Sequence, residues 1–194
     1  MMIFWLTCLV GYPRTSAPEP KKSAIMVQEE KKKKRVVTRI VDIFCIEYAT
    51  WKAYFQFIAV DHAELSSPTI RVFKKRYPLD YEFNAEEIVS GEVMYYAHTQ
   101  LQSGLKLNAW TKVGKSKDIG DLSHILFRTA PPRANTLESL KSYRWYVGGI
   151  NQEYEMIGEL TEEYKNKSHM GWVVPPIDII EKTELGEYQG AIPY

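Results

Sequence analysis

The chain has 194 residues, of which 45% are hydrophobic, 25% charged and 13% aromatic. That balance belongs to a globular protein with ample material for a core and excludes collagen-like and wholly disordered chains. At about 150 residues per domain the length provides one main domain with an appendage, and no run reaches the ~18 apolar residues of a membrane span.

The formal charge of +1 is unevenly spread. Residues 21–35 hold seven basic residues (Lys21, Lys22, Lys31, Lys32, Lys33, Lys34 and Arg35) against Glu29 and Glu30, a net of +5. Arg14 and Glu19 balance within residues 1–20, so residues 36–194 carry −4. A body of that sign lacks the clustered Lys and Arg that neutralise phosphates, which makes a basic protein a better partner than nucleic acid.

Residues 1–10 (MMIFWLTCLV) are apolar, but no positive charge precedes them and no Ala-x-Ala-like cleavage pattern follows. Cys8 follows Leu6-Thr7, where a lipoprotein signal would place a small residue. Residues 11–35, rich in Pro, Ser, Lys and Glu, cannot offset their chain entropy by burial and read as a disordered leader. Met26 opens MVQEEKKKKRVV, a natural beginning, so residues 1–25 read as an upstream start assignment, with an atypical export segment as the alternative. Cys8 and Cys45 form no disulfide framework. The expected compartment is the cytoplasm, or outside it if residues 1–25 are a genuine signal.

From residue 36 the text turns to short Val-, Ile-, Phe-, Tyr- and Trp-rich runs punctuated by Gly, Pro, Asn and Ser, the pattern of a strand-dominated domain over residues 36–194. Strands are predicted over 37–48 and 52–60, joined by a hairpin. In the second, Ala53, Phe55, Phe57 and Ala59 share one face and Tyr54, Gln56, Ile58 and Val60 the other, so it should lie centrally with both faces covered. A third strand over 70–74 ends in Lys74-Lys75-Arg76, charge of the kind that blunts a sheet edge. Asn84 with Glu87 three places later predicts a capped short helix ending at Gly91. Residues 93–99 read as extended, and 101–110 are ambiguous because Gly104 weakens a helix there. Further extended runs are 111–113, 125–128, 143–147, 154–160 and 170–174. Pro175-Pro176 then opens a helix whose apolar side is Ile177, Ile180 and Leu185, before Gly186. The fold expected is α+β: a predominantly antiparallel, strongly bent sheet or partly open barrel with two or three short helices.

Chemistry-bearing motifs are sparse. His62, His98, His124 and His169 have no metal-ligand spacing, and no Gly-x-Ser-x-Gly occurs. Gly114-Lys115-Ser116 lacks the upstream glycine of a phosphate loop and reads as a turn, and Asp118 and Asp121 lack a calcium-loop pattern. Two candidate sites stand out. Tyr96 and His98 share a strand face and form a potential pocket in which an imidazole beside a phenol can relay a proton. Glu153, Glu155, Glu159, Glu162 and Glu163 form a carboxylate patch, with Tyr154 and Met156 pointing inward, that can steer a cationic partner. Trp51, Trp110, Trp145 and Trp172, with Phe127, Tyr143 and Tyr146, suit core packing better than base stacking.

The segments RIVDIFCIEY (39–48), YFQFIAVD (54–61), IRVFKKRYP (70–78), EEIVSGEVMYYAHT (86–99), LKLNAWTKVGKS (105–116), ILFR (125–128) and VVPPIDIIEKTELGEY (173–188) together resemble the immunity protein 26 family of bacterial polymorphic toxin systems. The cues are an Asp-x-Phe-x-Ile strand (Asp42, Phe44, Ile46), a Trp-x-Lys-Val-Gly segment (Trp110, Lys112, Val113, Gly114) and Pro-Pro before a short helix. Val41 departs from the pattern, which has glycine before the aspartate, and so does the basic leader. The resemblance implies a small cytoplasmic α+β antidote that binds and neutralises a co-inherited protein toxin, such as a basic nuclease, with no cofactor, no metal, no catalytic residue and no membrane. The alternatives are a ligand-binding protein or hydrolytic enzyme with a pocket near His98, and a single-stranded nucleic-acid-binding module.

Overall fold

The computed structural model describes residues 36–130 and 144–186. The expected leader, residues 1–35, lies outside the described residues, as does Tyr143.

Strands β1 (Asp42–Glu47) and β2 (Trp51–Asp61) form the expected antiparallel hairpin, closed by the Tyr48 N–H donating to the Trp51 carbonyl at 2.9 Å. β3 (Ser67–Phe73) pairs antiparallel with β2, and the two-residue β4 (Tyr77–Pro78) adds to the start of β2. β5 (Val93–Thr99) pairs with β3, β6 (Thr111–Lys115) with β1, and the short β11 (Val173–Val174) runs parallel to β5. The main order is β11-β5-β3-β2-β1-β6. Register shifts at Ile43/Phe44, Phe57/Ala59 and Val72/Phe73 supply the bulges that bend such a sheet. A second sheet, ordered β10-β7-β8-β9, contains β7 (Leu126–Thr129), β8 (Trp145–Gly149), β9 (Glu155–Gly158) and β10 (Ser168–Met170). Both sheets are open and mixed, with one parallel ladder each, and the fold is α+β.

Among the described residues four short helices complete it: α1 (Ala85–Val89), α2 (Leu101–Lys106), α3 (Glu162–Lys167) and α4 (Pro176–Leu185). The Asn84 cap is present, its Oδ1 accepting from the N–H groups of Glu86 and Glu87 at 3.1 and 3.2 Å. The Glu87 carboxylate, which in a capping box would bond the Asn84 N–H, accepts from Lys75 Nζ at 2.7 Å and from the Tyr81 hydroxyl at 2.8 Å. α2 forms despite Gly104 because the Trp110 indole lies against that glycine and donates to the Leu101 carbonyl at 3.1 Å. A side chain at position 104 would occupy the space of the ring.

β2 is buried along both faces, as its double apolar pattern requires. On one face Phe44, Phe55, Ile70, Val72, Tyr95 and Trp110 pack under α2 and α4 through Leu101 and Ile179. On the other face α1 covers Ile43, Cys45, Tyr54 and Phe73, while the second sheet covers Ile58 with Ile125 and Phe127. Among the described residues no helix is long and apolar enough to cross a membrane.

Three local expectations need correction. β3 lies inside the sheet, so Lys74-Lys75-Arg76 does not blunt an edge. These residues leave the strand to reach Glu92, Glu87 and the Glu184 carbonyl, with the Arg76 guanidinium 4.3 Å from the Trp51 ring. In α4 the buried positions are Pro176, Ile179 and Thr183, while Ile177 and Leu185 face solvent. The Tyr95 hydroxyl, 2.8 Å from Thr183 Oγ1, explains why a polar residue sits on the buried stripe. Gly114 and Lys115 belong to β6, with no turn there, and Gly114 is pressed against Phe83.

Candidate functional site

The carboxylate patch lies on and beside the outer strand of the second sheet. β9 has only β8 as a neighbour among the described residues, and Glu153, Glu155, Glu159, Glu162 and Glu163 are all exposed. The structure divides the five. Glu162 accepts from Lys165 Nζ at 2.6 Å and Glu163 from Lys167 Nζ at 2.7 Å, pairs set by the helical spacing of α3. The Lys167 ammonium holds the Glu163 carboxyl below its ordinary range. No ion pair with a described lysine or arginine engages Glu153, Glu155 or Glu159, so the effective patch is these three.

Met156 does not point inward. It is 59% exposed. Tyr154 does turn inward. A Cβ on Gly148 would fall 2.4 Å from its ring and one on Gly171 3.0 Å, so both glycines make room for it. The turn before β9 is tied to the main sheet. Asn151 N–H donates to Asp61 Oδ1 at 3.3 Å, Asn151 Oδ1 accepts from His62 N–H at 2.7 Å, and Tyr154 N–H donates to Glu64 at 3.1 Å. The patch is therefore held by backbone contacts to the end of β2.

The second candidate is sealed at His98, while Tyr96 is half-buried. His98 and Tyr96 share the face of β5 that looks toward the second sheet, as the alternation of a strand dictates. His98 is fully buried, 4.1 Å from the Phe127 ring centroid. Its Nδ1 is 3.2 Å from Thr69 Oγ1, and its Nε2 is 3.8 Å from Asp61 Oδ2. Thr69 and Asp61 are also fully buried. Burial holds the His98 pKa down to about 4, with the Asp61 charge offsetting part of that effect.

A hydroxyl, an imidazole and a carboxylate in line resemble the parts of a nucleophilic triad. Two features argue against that use: the 3.8 Å gap exceeds a hydrogen bond, and the line is closed to solvent. Thr69 and His98 are direct partners in the β3–β5 ladder, so the contact also specifies its register.

Residues distant in sequence gather around this face. The Tyr96 ring is 5.2 Å from His169 and 6.1 Å from His124, so three of the four histidines line the seam between the sheets. His169 is likewise held down to about 4, first by burial and then by the charges of Arg128 and His124. Arg71, buried in the middle of β3, donates to Gln56 Oε1 at 2.9 Å and to the Asp118 carbonyl at 2.8 Å. Gln56 in turn donates to the Ser116 carbonyl at 2.8 Å, fastening the loop after β6 across the sheet.

Asp118 and Asp121 accept within that loop from Gly120 N–H and from Ser123. Among the described residues no three His, Cys, Asp or Glu side chains are placed to hold a metal ion.

Comparison of the chain with protein-family models, curated proteins and solved structures finds no match.

Sequence reasoning did not find Asp61, Thr69, Arg71 or Gln56. A polar residue at an otherwise apolar strand position was the available signal, visible at Gln56 and Arg71. Of the tryptophans, Trp110 and Trp145 are buried, Trp172 is partly buried, and Trp51 is stacked on Tyr48 at 4.1 Å with Arg76 over it.

Proposed function

We propose that the protein acts by binding another macromolecule, as an immunity protein that neutralises a co-inherited bacterial toxin in the cytoplasm, in keeping with the family its sequence resembles. The observation that carries the reading is the exposed carboxylates of Glu153, Glu155 and Glu159, on and beside the outer strand of the second sheet. Carboxylates that form no ion pair with a described lysine or arginine are free to meet the cations of a partner. A nuclease toxin is a fitting partner, because a surface that binds phosphates is basic. The body's charge of −4 has the complementary sign.

The test is co-expression of residues 36–194 with the product of the neighbouring large gene. Rescue of growth together with a stable one-to-one complex is the expected result. Failure of the body to rescue, with the protein folded and expressed, would overturn the proposal.

A hydrolytic or ligand-binding role has one observation in its favour, the Thr69–His98–Asp61 line. It requires the second sheet to lift away from His98. Rapid modification of His98 by an imidazole-specific reagent in the native protein would support that role, and a protected His98 would remove it.

A further inference from the structure

Four polar side-chain atoms around the end of β2 are buried with no hydrogen-bond partner among the described residues: Asp61 Oδ2, His98 Nε2, Ser67 Oγ and the Tyr154 hydroxyl oxygen. Their placement is related. Ser67 lies directly opposite Asp61 in the β2–β3 ladder, so their side chains share a face, and His98 Nε2 is 3.8 Å from Asp61 Oδ2. Tyr154 enters from the smaller sheet, and the Asp61 and Glu64 charges add to burial in opposing ionisation of its phenol.

The two oxygens of Asp61 are unequally served. Oδ1 accepts from the N–H groups of Ala63, Glu64 and Asn151 at 3.1, 3.5 and 3.3 Å, while Oδ2 has no donor among the described residues. A carboxylate oxygen withdrawn from solvent without a donor is costly, and buried polar atoms in native proteins are almost always satisfied by protein or ordered water. A separation of 3.8 Å is too long for a hydrogen bond, yet one water oxygen can lie at the usual ~2.8 Å from both atoms.

We propose that a single internal water molecule bridges Asp61 Oδ2 and His98 Nε2, accepting the Nε2 proton and donating to the carboxylate, with Ser67 and Tyr154 as its remaining polar neighbours. The water completes a chain from Thr69 through His98 to Asp61, which already anchors the Asn151 turn. It thereby links β2, β3 and β5 of the main sheet to the β8–β9 hairpin of the smaller one. The arrangement fixes the imidazole as the Nε2–H tautomer, with the Thr69 hydroxyl donating to Nδ1. A water satisfied by two to four polar groups is the usual occupant of such a position. This site is independent of any partner and stands whether or not the binding role does.

The test uses the unmodified full chain. Long-range proton–nitrogen spectra of the 15N-labelled protein at neutral pH are expected to show His98 protonated at Nε2 and unprotonated at Nδ1. A cross-relaxation peak from the imidazole to bulk-frequency water should carry the sign of a long-lived bound molecule. A high-resolution crystal structure should show one solvent peak within about 3.2 Å of both Asp61 Oδ2 and His98 Nε2. An Nδ1–H tautomer, a direct Oδ2–Nε2 contact with no solvent peak, or an absent water cross-peak would each overturn the proposal.

Discussion

The carboxylate of Asp42, almost wholly buried in β1, lies 2.7 Å from the ammonium of Lys112 on the neighbouring strand β6. The pair joins two segments that the sequence singles out separately, the Asp-x-Phe-x-Ile strand and the Trp-x-Lys-Val-Gly run. Asp42 Oδ2 also accepts from the Arg39 N–H at 2.7 Å. Lys112→Met should cost about 2–3 kcal/mol, at or below the range for breaking a buried pair, because Lys112 keeps some contact with solvent. Asp42→Asn with Lys112→Met should cost less than the two single changes summed, by at least about 1 kcal/mol, in urea unfolding. Strict additivity would show that the pair is energetically idle.

Val41, immediately before that aspartate, has φ of 87°. A β-branched residue is strained there, at about 1–3 kcal/mol, whereas glycine is not. The backbone is held in place by Val41 N–H donating to the Phe57 carbonyl and the Val41 carbonyl accepting from Ser116 N–H, both at 2.9 Å. Val41→Gly relieves the strain against an entropic cost of roughly 0.5–1 kcal/mol in the unfolded chain. The expected outcome is a gain of about 1 kcal/mol, seen as a melting temperature ~2–4 °C higher. A lower melting temperature would mean that packing of the valine outweighs its backbone.

Gly104→Ala sets helix propensity against packing. Propensity favours alanine by about 1 kcal/mol, but the new Cβ would fall 2.0 Å from Trp110 Cζ2, and that ring is buried and bonded to Leu101. Overpacking of this kind costs about 1–3 kcal/mol or more, so the variant should be destabilised, with a changed near-ultraviolet circular dichroism signal from the displaced indole. A stabilised variant would show that the Trp110 contact is loose.

His98 and His169 give stability a pH dependence of defined sign. Both are held down to about 4 in the folded protein, below the ordinary value of 6.5. The unfolded chain therefore binds protons more readily between these values, and stability that is complete above pH 6.5 is lost as pH falls toward 4. For His98 the shift corresponds to at most about 3 kcal/mol, and His169, which is only partly buried, adds less. Urea midpoints measured from pH 7.5 to 4 should fall, and His98→Gln should flatten the slope while lowering stability at pH 7.5. An unchanged slope in that variant would place the titration elsewhere.

Glu155→Lys with Glu159→Lys tests the proposed binding surface without touching the core, since both side chains are exposed. Thermal stability should stay within about 0.5 kcal/mol of the parent. Association with a basic partner should slow roughly tenfold at low salt, and its salt dependence should shrink. Unaltered association kinetics would exclude this face.

Much of the fold can be read from local chemistry. The double apolar pattern of β2, the Asn84 cap and the Pro-Pro opening of α4 each act over a few residues, so strand periodicity and capping reveal them directly. The α+β class and the five exposed carboxylates follow from the same local signals. Packing decided the rest. Gly104 sits in a helix only because Trp110 covers it, and Thr183 rather than Leu185 lies on the buried stripe of α4 because Tyr95 waits there with a hydroxyl. His98, Asp61 and Thr69 carry no common spacing, since a ladder register and a turn, not a motif, bring them together. The helix α3 neutralises two carboxylates of the patch with lysines that sequence alone places nearby but does not orient. Side chains remote along the chain meet only when sheets stack, and the identity of those neighbours is a property of three dimensions.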